Sequence, residues 1–597
     1  MRIPFVALCI ILIVSISKNT FGQDSSGKKR IETVHSDFAR MLTTDSSQVN
    51  VLWGNVLMKH NEVLLSCDSA VLLPNDLFKA FGNAKVTSSE TVVTGDEMTY
   101  NGSTNMADVR GRIVYLTNGS STLRTTKIEF DTNSEIGYFE NEGTIVDSTH
   151  LIESKRGYFY SGTKEFKFIG TVQADTKEHL LQSDSMTYNT NSKIFTFHFN
   201  THIWSNNGYL YCDKGWYNSE NGVLFFLRNS YMLSSKQEIF ADSIYFDNNA
   251  QKGKLFSNIQ IADTAQKTIA LSDYAKFDLD TEDFRMEKNP SIIIYDENND
   301  STFIRADTIY SLTFEFPVDS VATNTKPTTD SISFAADSTS VINMNFADST
   351  SIVVDSVAVD SVRTYKELHA YKNVKLYRSD FQLICDSLFF NDIDSIWKIH
   401  YNPIIWDGKK MQITSDSMKI FIENSTLREA QFQNNAMIVM PEGEPDTTIY
   451  FNQIKGRNIN AYFRNGKINV METLGNVQTI VFSLPEMTMN SAQSASMKME
   501  YYPSGSIRKI GYYTNPDIKN NPLFSVKENE IQLQGFKWEI NLRPKSGEEI
   551  LNRPLRATER ETKENILKPD FPITKRIDDI ENSLGLKKDS EDEIYTE

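Results

Sequence analysis

A chain of 597 residues that is 40% hydrophobic and 23% charged holds enough apolar material for a packed core, which excludes wholesale disorder. Its 61 basic against 78 acidic side chains give a formal net charge of −17 and argue against a nucleic-acid partner, because a phosphate-binding surface needs a basic stripe. Length alone suggests about four domains at roughly 150 residues each, a prior that internal repeats can override.

The N-terminus reads as a signal peptide over residues 1–22. Arg2 supplies the positive start, an apolar run follows from Ile3 to Ile16, and Thr20-Phe21-Gly22 places small residues at the cleavage site. The run is too short for a comfortable membrane span, which needs about 20 residues. Cleavage after Gly22 implies export, and export permits disulfides. The mature chain keeps Cys67, Cys212 and Cys385, an odd number, so at least one thiol is free.

A repeat then runs through most of the chain. LLSCDSAVL (64–72), VVTGDEMTY (92–100), LLQSDSMTY (180–188), EIFADSIYF (238–246) and LICDSLFF (383–390) share one pattern: apolar, any, small, Asp, any, apolar, any, aromatic. The acidic slot is filled by Asp68, Asp96, Asp184, Asp213, Asp242, Asp273, Asp307, Asp386 and Asp416, with Thr126 and Lys155 in the same register and weaker copies at Asn458 and Ala495. From 68 to 242 the steps are 28, 30, 29, 29, 29 and 29 residues. Three residues before the slot stand Leu65, Val93, Leu123, Ile152, Leu181, Leu210 and Ile239. They share a strand face with the small residue just before the slot. After it the apolar parity flips, with Met98 and Tyr100, Ile128 and Phe130, Phe159, Met186 and Tyr188, Tyr217, and Ile244 and Phe246 two or four residues later. A flip of face within one strand requires a bend, so the strand turns a corner at Asp, whose carboxylate can accept backbone N–H groups freed there. Turn signals such as Asn101-Gly102-Ser103 follow, then a return strand that often passes through Gly-Asn: Gly54-Asn55, Gly82-Asn83, Gly475-Asn476.

Each unit is therefore two bent strands joined by hairpins, and the chain is all-β, an elongated bent antiparallel jelly-roll of two-strand repeats about 29 residues long. Cys67 and Cys212 fill the same small-residue slot five units apart. At about 4.8 Å per strand they lie beyond the about 7 Å Cα separation of a disulfide, so no bridge joins them. The inner face is a trough of aliphatic residues and a column of aromatic ones. Its plain reading is cross-strand core packing; its functional reading is a lipid-accepting trough, left open where the fold does not close.

The domain limits that follow are 1–22 for the signal peptide, 23–315 for N-terminal repeats, 316–363 for a flexible insertion rich in Asp, Ser and Thr, 364–542 for C-terminal repeats, and 543–597 for a charged tail, disordered or docking, with a short helix between Glu559 and Leu567. No catalytic set emerges. A residue recurring once per unit is structural, which favours a corner role over paired-carboxylate chemistry for the Asp slots. His198 and His202 lie too far apart along a strand to share a metal ion, and there is no phosphate loop or nucleophile elbow. No cofactor is expected.

Exported chains with repeated Gly-Asn-Val and Leu-x-small-Asp-x-x-x-aromatic units resemble the OstA-like family. The matching residues are Gly54-Asn55-Val56, Leu65 to Asp68, Gly82, Asp96 to Tyr100 and Asp184 to Tyr188; LQGFKWEINLRPKS (533–546) is also similar to the end of long OstA-like proteins. The resemblance covers residues 35–310 well and 365–505 less well. It implies a periplasmic, non-enzymatic jelly-roll that holds the acyl chains of lipopolysaccharide or a related glycolipid. It also implies partners: other jelly-roll transport proteins joined end to end by strand addition, and an outer-membrane translocon. The chain is longer than a typical periplasmic member, and no C-terminal series of membrane-barrel strands is expected. The rival expectation is a structural β-repeat scaffold or interaction module whose core is closed and binds no lipid.

Overall fold

Alternating apolar and polar residues at period two make almost every repeat segment a strand, and short turns at Gly, Asn and Asp make consecutive strands antiparallel. The computed structural model describes residues 30–585 apart from 45–46, 207, 266, 296–300, 317–362, 392, 394, 424–425 and 552. The signal peptide, nearly all of the acidic insertion and the last residues of the tail fall outside the described residues. The chain divides into two compact units, residues 1–141 with 580–597, and residues 142–579. In the first, strands from Glu32–His35 to Ile136–Phe139 pair antiparallel in chain order, with Phe38–Thr44 and Glu32–His35 both on Ser47–His60. In the second, the same pattern runs from Gly143–Val146 to Asp517–Pro522. Among the described residues no helix is long and apolar enough to cross a membrane.

The long strands bend at the expected slot or at the return-strand residues that face it. Pairing between Val63–Leu73 and Leu77–Ser88 breaks between Ser66 and Ser69, around Asp68. Pairing of Val223–Leu233 with Gln237–Asp247 breaks between Leu227 and Ser230. At Lys155 and Asp213 the bend is sharp enough to divide one strand into two, Leu151–Ser154 with Arg156–Tyr160 and Gly208–Cys212 with Lys214–Asn218. The sheet of each unit thus folds along a line of slots into two arms. The first arm carries the residues before the slot and the second those after it.

The partner of the Asp carboxylate differs from the expectation. Backbone N–H groups do serve at Asp96, which accepts from Arg112 N at 2.8 Å, and at Asp273, which accepts from Asn258 N at 3.2 Å. The recurring donor is instead an asparagine side chain on the return strand. Asn55 donates to Asp37, Asn83 to Asp68, Asn229 to Asp213, Asn258 to Asp242, Asn373 to Asp307 and Asn435 to Asp416, at 2.7–3.1 Å. Each of these asparagines is the second of two consecutive residues with positive φ: Gly54-Asn55 (79°, 45°), Gly82-Asn83 (72°, 46°), Arg228-Asn229 (61°, 48°), Lys372-Asn373 (60°, 53°). The first of the pair accepts from the slot's own N–H, as in Asp37 N to Gly54 O at 2.8 Å and Asp416 N to Asn434 O at 3.0 Å. The corner is a reciprocal clasp, and it selects Asn because Asn tolerates the left-handed region and carries a donor.

The C-terminal segment corrects the expected domain limits. Strands end at Pro522, short of 542, and residues 523–579 are neither a repeat nor disordered but a strap on the outer face of the first arm of the second unit. Gln453 donates to Ile531 O at 2.9 Å and accepts from Leu533 N at 2.8 Å. Gln412 does the same with Lys537 O and Glu539 N, and Gln260 with both backbone groups of Arg556. Glu238 then accepts from Glu559 N, and Glu153 from Thr574 N. The strap thus retraces the strands in reverse order. It covers apolar outer-face residues: Leu533, Phe536 and Trp538 pack on Met437, Val439 and Phe451, and Ile566 packs on Trp204, Tyr209, Tyr231, Leu233 and Phe240. That burial orders the segment, which for the tail from 543 is the docking alternative rather than the disordered one. A helix occupies Arg560–Glu564, inside the stretch where one was expected. In the first unit, Glu581 accepts from Tyr115 at 3.0 Å and Arg124 at 2.9 Å.

Candidate functional site

The interior between the arms holds every residue assigned to the trough. In the first unit Leu65, Val93, Met98, Tyr100, Leu123, Ile128 and Phe130 are buried, none more than 2% exposed. In the second, Ile152, Phe159, Leu181, Met186, Tyr188, Leu210, Tyr217, Ile239, Ile244 and Phe246 are buried as well. The parity flip explains this: with the strand folded at the slot, faces of opposite parity on the two arms look at one another. The Asp slots lie on the convex side, exposed at Asp68, Asp184, Asp386 and Asp416 and partly so at Asp96, Asp213, Asp242 and Asp273.

Much of this interior is filled by its own aromatic rings. Phe159 meets Phe166 at 4.4 Å between centroids, Tyr188 stacks on Phe195 at 4.5 Å, and Phe246 on Phe277 at 6.1 Å. Residues 177–248 of the second unit leave room. There a cavity of about 340 Å³ is lined by the apolar Ile203, Leu210, Tyr217, Leu224, Phe226 and Phe246 together with the polar Lys177, Glu178, His179, Ser205, Asn206 and Asn248. Its size falls at the lower end of the about 300–1,000 Å³ usual for small-molecule sites. Three of the assigned trough residues, Leu210, Tyr217 and Phe246, meet in this space.

Histidines close the side opposite the Asp corner, a role not read from the sequence. His60, at the end of Ser47–His60, shares a 2.7 Å hydrogen bond with the hydroxyl of Tyr100 in the first unit. In the second unit His150 lies 3.0 Å from the Tyr188 hydroxyl, and His179 lies 3.4 Å from that of Tyr217. Each latch ties a hairpin of the first arm to the end of a strand in the second, across 40, 38 and 38 residues of sequence. The legible signal was the choice of Tyr over Phe in the aromatic slot. Tyr stands where such a histidine exists, and Phe130, Phe246 and Phe277 stand where the corresponding hairpins 88–91, 205–208 and 234–237 carry none.

At Tyr188 the latch extends into a buried charged cluster. Asp147, whose side chain has no exposure, accepts from the Tyr188 hydroxyl at 2.5 Å, Lys193 Nζ at 3.0 Å and the His150 and Thr149 backbone N–H groups at 2.8 Å each. Burial pushes the Asp147 carboxyl up, but hydrogen bonds from His150, Tyr188, Thr149 and Lys193 outweigh it and hold the group far below the ordinary carboxylate range. Burial and the bond to Asp147 push the Tyr188 hydroxyl well above its usual value. Burial likewise lowers His179, with Glu178 opposing, and raises Tyr217. These groups are fixed in their neutral or paired forms, which suits closure rather than proton transfer. Cys67 and Cys385 are free and buried, and burial pushes their thiols up to about 11 and about 12. Cys212 is free and buried too.

Comparison with known proteins bears on residues 28–184, which match the model of the OstA-like protein family. No curated protein matches the chain. Among solved structures, the crystal structure of LptH, the LptA-homologous periplasmic component of the conserved lipopolysaccharide transport device from Pseudomonas aeruginosa, is similar at 15% identity over 18% of this chain and 79% of that one, with a TM-score of 0.17. The family match contains the slots Asp68, Asp96 and Asp184 and the aromatic positions Tyr100, Phe130 and Phe159, so over this segment the chain is similar to the OstA-like proteins.

Proposed function

We propose that this protein is a periplasmic, non-enzymatic scaffold that carries lipopolysaccharide toward the outer membrane, with lipid A acyl chains held between the arms. The observation that carries this reading is the largely apolar lining of the interior in each unit, together with the cavity at Leu210, Tyr217 and Phe246. Each acyl methylene moved from water into such a lining gains about 0.8 kcal/mol, and a row of similar subsites lets a chain move on without a deep trap. The OstA-like segment supports the same class of function. Partners of like fold would add strands at the ends. Val34, Phe38 and Met41 are exposed on the first strands of one unit, and Ile507, Ile510 and Ile518 on the last strands of the other.

One observation favours the rival, a closed scaffold: the aromatic column at Phe159 and Tyr188 is packed on itself, so a lipid there must part the arms. The two separate by experiment. Benzoylphenylalanine in place of Phe130 and of Phe159, irradiated in cells, should yield lipopolysaccharide adducts. Absence of adducts at both sites, with no lipid in the native mass spectrum of the folded protein, would establish the closed scaffold instead.

A further inference from the structure

In the second unit the strap covers the outer face of the first arm, and among the described residues nothing comparable covers the outer face of the second. One row of that bare face crosses the strands from Trp216 to Lys419 without an acidic residue, in a chain with 78 acidic against 61 basic side chains. Lys254 stands directly opposite Lys276, and Lys276 opposite Arg285, so three cations lie abreast on consecutive strands. Strands are about 4.8 Å apart, and like charges in direct opposition destabilise a sheet. Arg285 pairs with Glu287 at 2.6 Å, but among the described residues neither Lys254 nor Lys276 has an ion pair. Aromatic platforms flank the cations. Phe225 and Tyr245 meet at 6.3 Å between centroids on one side, and Tyr310 stacks on His369 at 4.7 Å and on Tyr371 at 5.5 Å on the other. Farther along, Lys398 lies 4.9 Å from the centre of the Phe389 ring, with Lys419 opposite it. Two residues nearer the hairpins the same face turns acidic, at Asp247, Asp278, Asp283 and Glu367.

A narrow row of cations and rings beside an acidic border fits a single anionic strand. The border repels a broad anionic surface such as a bilayer, yet it confines one strand to the row. The ring faces carry negative quadrupole, which the C–H groups of a sugar ring cover. The cations fall into two groups with aromatic positions between them, which suits a polymer of sparse charge, whereas nucleic acid carries a phosphate at every unit. We propose that this face binds a linear acidic glycan of the cell wall, one whose alternate sugars bear a carboxylate-carrying substituent. Sugar rings lie on Phe225 and Tyr245 and on Tyr310 and Phe389, and carboxylates meet Lys254, Lys276 and Arg285. The face is on the side of the sheet turned away from the interior, so the inference is separate from what the arms hold. It rests on the carrier reading only for the periplasmic location.

The test uses the full mature protein and a labelled hyaluronan decasaccharide, a soluble glycan with a carboxylate on alternate sugars, followed by fluorescence anisotropy. Co-sedimentation with purified wall sacculi is the second measurement. Hyaluronan should bind, and a chitin oligosaccharide, which lacks the carboxylates, should bind at least about five-fold more weakly. Lys276→Glu should weaken hyaluronan binding about five- to thirty-fold, because an exposed ion pair is lost and a comparable repulsion gained. This variant also relieves the opposition of like charges, so the fold is retained. Tyr310→Ala removes one stacking face and should weaken binding about five-fold or more. Should Tyr310→Ala fail to fold, Lys276→Glu decides alone. No binding of hyaluronan, or binding unchanged in Lys276→Glu, overturns the proposal. Oligothymidylate or phosphatidylglycerol vesicles bound through Lys276 in place of hyaluronan overturn it too, as does a failure to co-sediment with sacculi. Hyaluronan binding without lipopolysaccharide adducts at Phe130 and Phe159 would sink the carrier reading and leave the glycan face standing; the opposite pattern would sink the glycan face alone.

Discussion

Asn83 carries a disproportionate share of its corner. It stands at φ 46°, a region that costs an ordinary L-residue roughly 1–2 kcal/mol, and its amide bonds Asp68 at 2.9 Å. Both duties follow from one short polar side chain, which is why Asn recurs on the return strand while the residue before it varies among Gly, Arg, Ser, Lys and Asn. Asn83→Ala should lower stability by about 1–2 kcal/mol, because Ala brings neither the left-handed tolerance nor the bond. Asn83→Gly should cost less, since Gly keeps the backbone freedom. Urea unfolding followed through Trp53, in the same unit, measures both; equal losses would mean that the Asp68 bond alone matters. The slot and its aspartates were legible in the sequence because they recur at a fixed step. Their partner was not, because Gly-Asn was visible only as a bend, and which carboxylate it faces depends on how two strands register.

At the scale of elements, the strap shows how a polar segment becomes ordered. Gln382, Gln412 and Glu238 each stand four residues before an Asp slot, on the face of the first arm turned away from the interior. A buried Gln there offers one donor and one acceptor, which matches the N–H and C=O of an extended chain laid across it. Gln412→Leu keeps the volume but leaves Lys537 O and Glu539 N unsatisfied, at a cost of about 1–3 kcal/mol. Amide exchange at Glu539 should accelerate well beyond that at Arg556, whose partner Gln260 is untouched; exchange unchanged at both would show that apolar packing of Phe536 and Trp538 holds the strap by itself. Composition placed the first part of this segment, up to 542, in the repeats and the rest in a tail, disordered or docking, because that part is charged and contains Pro544, Pro554, Pro569 and Pro572. Composition reports what a segment can bury of its own, and here the apolar surface belongs to the strands beneath.

For the molecule as a whole, the buried titratable groups bound the pH range of stability. His179, His198, His202 and His369 all have depressed folded values, with burial as the first cause. A depressed value means that the unfolded chain binds the proton more readily, so this stability is complete above about 6.5 and is lost as pH falls through the lower folded values. Asp147 adds a second loss at more acid pH, below the ordinary carboxylate range. Tyr188, Tyr217 and Tyr231 are raised, so their contribution is full below about 10 and declines above it. Melting temperature should therefore be flat from about pH 7 to 9, fall toward pH 5 and fall again above pH 10; a rise toward pH 5 would contradict the burial of these histidines. By itself the sequence determined the all-β class, the step of the repeat, the corner at each Asp and which side chains face inward, because all of these are properties of neighbours a few residues apart on one strand. Only the tertiary structure decided that Asn answers Asp, that histidines latch tyrosines 38 or 40 residues away, that the tail lies along the first arm, and that the interior is filled at Phe159 yet open at Phe246. Those are contacts between segments distant in the chain, and whether space remains between them depends on side-chain volumes meeting across the two arms, which no local pattern encodes.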